Sequence, residues 1–405
     1  MKLGLTSAAG RWATALAFVL GLTAAATPHA QAQTFSVLHS FSGGSDGGNP
    51  LAGFTIDATG NLYGTTNAGG ASGVGTVFKI TGDGVETVLH NFSGGADGAN
   101  PEASLLRDAA GNLYGTTLAG GASGAGTVFK LGAHRRETVL YSFAGGTDGA
   151  KPQAALAMDA AGNLYGTTTA GGSNGNGTVF KLDVPKKQNG KWKERVLYSF
   201  GSGTDGAIPV AGVTLDAKGS LYGTTSAGGT YGYGTVFQLK LSKTGWQENI
   251  LYNFQMQSDG GVPYAGVVFD GSGNLYGAAT DGGGGGQNGG GTVFELTPAE
   301  DGWTFNLLYS LAGWGISGTY RNVLLDASGN IYATTHCDGA NSAGTVYELT
   351  PSGGTWNYTS LYVFTGGTDG LYSFSNLVFD SLGNLYGTTN GGGADGYGVV
   401  FKVTP

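Results

Sequence analysis

The chain has one cysteine, Cys337, in 405 residues. No internal disulfide can staple it, so its stability has to come from packing. It also lacks the 3.6-residue apolar periodicity of amphipathic helices, which excludes helical repeats and bundles. Beyond the first 32 residues there is no second long apolar run, so no membrane span is expected. Charge is sparse: 19 Lys and Arg stand against 27 Asp and Glu, a net charge of −8. An acidic surface argues against nucleic acid and anionic membranes as partners. No Ser/His/Asp signature and no metal-ligand cluster stands out.

What the chain has in excess is glycine, 80 residues of 405, and it falls at regular places. The phrase Asp-x-x-Gly-Asn-Leu-Tyr-Gly-Thr-Thr, or a close variant, begins at Asp57, Asp108, Asp159, Asp216, Asp270, Asp326 and Asp380. Each copy leads through a Gly-rich stretch into a Gly-Thr-Val-Phe-like strand, starting at Gly75, Gly126, Gly177, Gly234, Gly291, Gly344 and Gly398. A unit of roughly 50 residues is too short to bury its own apolar face and must stack on its neighbours. In residues 101–143 four strand signals succeed one another: 103–107, 113–117, 127–131 and 137–143. The Asp-x-x-Gly between the first two is a hairpin turn, Asp accepting from the backbone and Gly supplying the left-handed position.

Seven four-stranded antiparallel units predict an all-β fold, a seven-bladed β-propeller. The repeats run at about 50–92, 101–143, 152–200, 209–254, 263–311, 320–364 and 374–405. Small residues open the first strand (Ala52-Gly53, Ala103-Ser104, Ala154-Ala155, Ala211-Gly212, Ala265-Gly266), which places it innermost, where seven strands converge. Residues 34–41 are a fourth-type strand with no unit before them, and the last unit ends after its third strand. The N-terminal strand is therefore expected to complete the seventh blade and close the ring.

Residues 1–32 have the pattern of a signal peptide: Lys2 and Arg11 as the charges, an apolar run from Trp12 to Ala26, and Ala30-Gln31-Ala32 for cleavage. The mature chain, 33–405, is expected to be one exported domain and a monomer, with no anchor after Pro405. The units resemble the GloVer (Gloeo/Verruco-type) tandem repeat of exported bacterial choice-of-anchor proteins. The resemblance rests on Asn-Leu-Tyr-Gly-Thr-Thr at 61–66, 112–117, 163–168 and 384–389, on the Gly-Thr-Val-Phe copies, and on Ser-Gly-Gly-Ala-Asp-Gly-Ala-Asn-Pro at 93–101. The Asp-x-x-Gly-Asn-Leu-Tyr hairpin is also similar to that of NHL-type propellers. The resemblance implies export and no established reaction.

Two sets of loops, inter-unit and second-to-third, should share one face. Asp46, Asp97, Asp148, Asp205, Asp259 and Asp369 mark the inter-unit loops, and unit six lacks the acid. Read functionally, they form a carboxylate ring that could hold Ca²⁺; read structurally, each closes an Asp-Gly turn. His39 and His90 stand where other units have Tyr and read as packed aromatics. Unit six breaks the pattern, with Gly313-Trp314-Gly315 in its loop, Arg321 at a small-residue position, and His336-Cys337-Asp338 after its second strand. Trp314, Tyr320, Arg321, His336 and Asp338 are the candidate polar-aromatic pocket for a carbohydrate or anionic small molecule. A Cys337–His336 nucleophile is conceivable on paper, although neighbouring strand residues point to opposite faces. The expected function is an exported, non-enzymatic module that binds or scaffolds extracellular carbohydrate, small molecules or protein. The alternative is a glycan-active enzyme, a hydrolase or lyase, with its site on the loop face near unit six.

Overall fold

The computed structural model describes Met1 and residues 33–405 except 133, 188–189, 202, 285–288, 314 and 316. The expected signal segment after Met1, and Trp314, lie outside the described residues. All regular structure among those residues is β. Seven four-stranded antiparallel sheets follow one another, each ordered first to fourth strand. Blade two shows the plan: Leu106–Arg107, Leu113–Thr117, Thr127–Leu131 and Glu137–Ser142.

The hairpin that opens each blade follows from its aspartate. Asp159 Oδ1 accepts from the backbone N–H of Ala161 and Asn163, while Oδ2 accepts from Asn163 Nδ2 and Tyr165 Oη. Four donors on one carboxylate hold its pKa below the usual range despite partial burial. In every unit but the sixth, where Ala333 stands at the first position, two glycines are demanded by space. Gly115 pairs across the ladder with Phe129, and a Cβ there would lie 2.6 Å from the Phe129 ring. Gly126 has φ 98°, and a Cβ would lie 2.4 Å from the Thr117 carbonyl oxygen.

The second and third strands are buried on both faces, which is why their sequences lack alternation. Neighbouring blades meet through edge-to-face phenylalanines: Phe41–Phe78, Phe92–Phe129, Phe143–Phe180, Phe200–Phe237, Phe254–Phe294 and Phe364–Phe401. Their centroids are 5.1–5.4 Å apart at 64–70°. Nearer the axis, a threonine hydroxyl stitches each blade to the next. Thr65, Thr116, Thr167, Thr224, Thr334 and Thr388 donate to the carbonyls of Ala103, Ala154, Ala211, Ala265, Ser375 and Ala52. The last of these joins blade seven to blade one, so the ring is closed.

As expected, the N-terminal strand Thr34–Ser40 pairs antiparallel with Val399–Thr404 as the outer strand of blade seven. The first strands are shorter than expected. Of the signal at 103–107 only Leu106–Arg107 pair within their own sheet. Ala103 instead gives its carbonyl to Thr65 of the preceding blade, so the chain leaves the sheet as it nears the axis.

The inter-unit and second-to-third loops interlock on one face. Backbone bridges join Gly48 to Ala68, Ala99 to Ala119, Ala150 to Ala170, Gly261 to Asp281 and Leu371 to Gly391. Entering every blade but the sixth, one residue adopts a left-handed conformation: Asn49, Asn100, Lys151, Ile208, Val262 and Tyr372, with φ 52–59°. Its N–H donates back to the preceding blade, as from Ile208 to the Asn176 carbonyl.

Candidate functional site

Departures from the repeat collect at the junction of blades five and six. Where other blades have Thr-Thr, blade five has Ala278-Ala279, both fully buried. The hydroxyl stitch is replaced by a longer bond, Thr280 Oγ1 to the Thr319 carbonyl at 3.3 Å. Leu311 and Tyr347 stand where the edge-to-face phenylalanines would be, and Tyr347 shares a hydrogen bond with Thr319 Oγ1.

Beside this junction lies an aromatic cluster. The position before the small inner pair is Leu51, Glu102, Gln153 and Val210 in blades one to four, then Tyr264, Tyr320 and Phe374 in blades five to seven. Tyr264 stacks on Tyr320 at 5.2 Å and 10°. His336 lies 5.1 Å from Tyr320, 4.3 Å from Phe374 and 4.6 Å from the exposed Tyr372. Burial pushes the imidazole down to about 4, so it is neutral near pH 7, and its Nδ1 has no partner. The sequence reading found Tyr320 and His336 and missed Tyr264, Tyr372 and Phe374. Aligning the seven copies at the position before the inner pair would have exposed the run of three aromatics.

The other expected pocket residues go elsewhere. Asp338 turns to its own loop, where its carboxylate accepts from the hydroxyls of Thr335 and Thr345. Burial raises the Cys337 thiol and lowers His336, so the two are a neutral thiol and a neutral imidazole, not an activated pair. Arg321 reaches into the central channel. Its Nε donates to Phe374 O at 3.2 Å and Leu51 O at 3.3 Å, and its Nη2 to Leu51 O at 3.0 Å and Glu102 O at 3.2 Å. A single side chain of blade six thus grips blades seven, one and two.

Each loop aspartate is engaged by its own turn. Asp46, Asp97, Asp148, Asp205, Asp259 and Asp369 accept the N–H of Ser42, Ser93, Ala144, Gly201, Gln255 and Thr365, four residues earlier. The outer-strand aromatic completes the turn. Tyr141, Tyr252 and Tyr362 donate to Asp148, Asp259 and Asp369 at 2.9 Å, while His39 and His90 come within 3.4 and 3.5 Å of Asp46 and Asp97. The two histidines thus take the place of Tyr in packing and approach the aspartate, but their Nε2 atoms form no hydrogen bond to it. Among the described residues no three His, Cys, Asp or Glu side chains gather in metal-ligating reach.

The sequence missed a second feature of the blade junctions. At the start of the outer strand, Glu86, Glu137, Glu194 and Glu248 occupy the register that Phe305, Tyr358 and Phe35 take in blades five to seven. The aromatics stack on the preceding blade's Tyr252, Tyr309 and Tyr362. The glutamates face the preceding loop's Asp46, Asp97, Asp148 and Asp205, and each has a buried Oε1 with no hydrogen-bond partner. Burial, then the facing aspartate, pushes the first three up to about 7 and Glu248 to about 9.

A family model described as the Gloeobacter/Verrucomicrobia repeat matches residues 21–237 and 211–405. No curated protein matches the chain. Among solved structures, an extracellular domain from B. thetaiotaomicron superposes with a TM-score of 0.57 at 10% identity over 90% of this chain. This chain spans only 39% of that one. A polysaccharide lyase, an ulvan lyase solved with a bound saccharide, gives a TM-score of 0.53 at 12% identity over 89% of this chain and 95% of its own. At such identities the likeness is one of fold.

Proposed function

The chain belongs to the Gloeobacter/Verrucomicrobia repeat family and is a seven-bladed propeller, and from that premise we propose that it is an exported, non-enzymatic binding module for extracellular carbohydrate. The observation that carries this reading is the aromatic cluster of Tyr264, Tyr320, His336, Tyr372 and Phe374. It is confined to blades five to seven and partly exposed, Tyr372 most of all. Stacked rings with one exposed aromatic suit the apolar face of a sugar. Export is supported by the composition of residues 1–32 and by the resemblance to exported repeat proteins. In the described residues no helix is long and apolar enough to cross a membrane.

Binding rather than turnover is favoured because acid–base catalysis on a glycan needs two differently tuned groups at fixed separation. Here His336 is paired only with aromatics, and Asp338 is spent on two threonines. The test is a glycan array with the wild type and Tyr372→Ala, beside a polysaccharide panel assayed for cleavage. Saturable glycan binding that falls about tenfold in the variant, with no cleavage, is expected. Unchanged binding in Tyr372→Ala removes the cluster as the site. Cleavage of any polysaccharide overturns the non-enzymatic reading and returns the hydrolase or lyase alternative, a class that includes the ulvan lyase of the same fold.

A further inference from the structure

The central channel holds a cation without a partner anion. Arg321 is surrounded by carbonyl oxygens, and among the described residues no carboxylate oxygen lies within 4 Å of its guanidinium. The acid whose charge it feels, Glu102, is held by Asn67 Nδ2 at 3.0 Å, and burial raises the Glu102 carboxyl, weakening it as a counterion. Taking a guanidinium out of water without a matched anion is costly. The four carbonyl contacts occupy Nε and Nη2, which leaves Nη1 free.

Against this guanidinium is a cavity of about 190 Å³ on the axis, lined on its polar side by Ser104, Tyr264, Arg321, Asn322 and Asn376. Both asparagines replace the second small residue of the inner pair found in blades one to five. Each spends its oxygen on the scaffold: Asn322 Oδ1 accepts from Gly266 N, and Asn376 Oδ1 from Ser104 Oγ, both at 2.8 Å. The ends left over are the two Nδ2 groups. The axis of an acidic protein thus ends in a guanidinium and two amide donors. At roughly 30 Å³ per water, the space holds about six waters or a molecule of a few heavy atoms.

We propose that this axial cavity binds one small carboxylate anion, seated against Arg321 Nη1 and the Nδ2 groups of Asn322 and Asn376. A carboxylate matches the planar donors better than a spherical ion, and it supplies the missing counter-charge. This site does not depend on the aromatic cluster binding a sugar. Its test uses neither the cluster nor a glycan, so either idea can fail alone.

The test titrates the full chain with acetate in exchange for chloride at fixed ionic strength, by calorimetry and thermal melting, with acetamide as the uncharged isostere. Acetate is expected to bind saturably at one site and raise Tm, and acetamide to do neither. Asn376→Asp builds a carboxylate into the cavity. It should raise Tm without acetate and weaken acetate binding at least about tenfold. Arg321→Ala should abolish binding, and if that variant does not fold, Asn376→Asp still decides the matter. Equal responses to acetate and acetamide, no saturable acetate binding, or undiminished binding in Asn376→Asp would each overturn the proposal.

Discussion

The left-handed residue that enters six of the seven blades shows how a single side chain can sit at odds with its backbone. Asn49 and Asn100 tolerate that conformation, whereas the β-branched Ile208, at φ 57° and 40% exposed, does not. Ile208→Asn should therefore stabilise the protein by about 1 kcal/mol, read as a rise in denaturant midpoint at unchanged m-value. The glutamates facing loop aspartates give a pH dependence whose sign can be worked out. In the fold each holds its proton to about pH 7, or about 9 for Glu248, while unfolded glutamate releases it near 4.5. Their contribution is complete below about pH 4.5 and is lost as pH rises through 7 to 9. His39 and His90, lowered by burial, oppose this by stabilising above their unfolded value. The combined variant Glu86→Gln, Glu137→Gln, Glu194→Gln and Glu248→Gln isolates the glutamates. Melting curves should show wild type losing Tm relative to this variant between pH 5 and 8, and a constant difference would refute the pairing.

At the scale of the element, what could be read beforehand was whatever the chain encodes locally. The Asp-x-x-Gly hairpin was legible because Asp159 draws its four donors from within six residues. The N-terminal strand was legible because it carries the fourth-strand pattern without a blade of its own. Contacts between blades were not, since Glu86 meets Asp46, and Arg321 meets Leu51 O, only once the ring brings them together. Asp338 shows the same limit: proximity in sequence put it in the pocket, and two threonine hydroxyls took it out. Phe41, fully buried at the end of the closing strand and packed on Phe78, tests that element. Phe41→Ala should cost about 3–5 kcal/mol by chemical denaturation. Removing a stitch is milder: Thr116→Val should cost about 1 kcal/mol.

For the molecule as a whole, the seven junctions are not equal. Six have the hydroxyl stitch and six the phenylalanine pair, and the contact between blades five and six lacks both. Hydrogen exchange should find this seam among the first to open, with amides of Leu275–Ala279 exchanging faster than those of Leu164–Thr168. The loop-face aspartates, by contrast, are each engaged by a backbone N–H of their own turn, and Asp148, Asp259 and Asp369 also by an outer-strand tyrosine. EDTA and Ca²⁺ should each leave Tm unchanged; a calcium-dependent rise would restore the carboxylate ring as a metal site.

The pairing of Thr34–Ser40 with Val399–Thr404 also sets an order of events during synthesis. Strand Thr34–Ser40 leaves the ribosome several hundred residues before Val399–Thr404 and waits for that partner to be made. The blades between them can assemble as they emerge, but the circle stays open until Val399–Thr404 has been made.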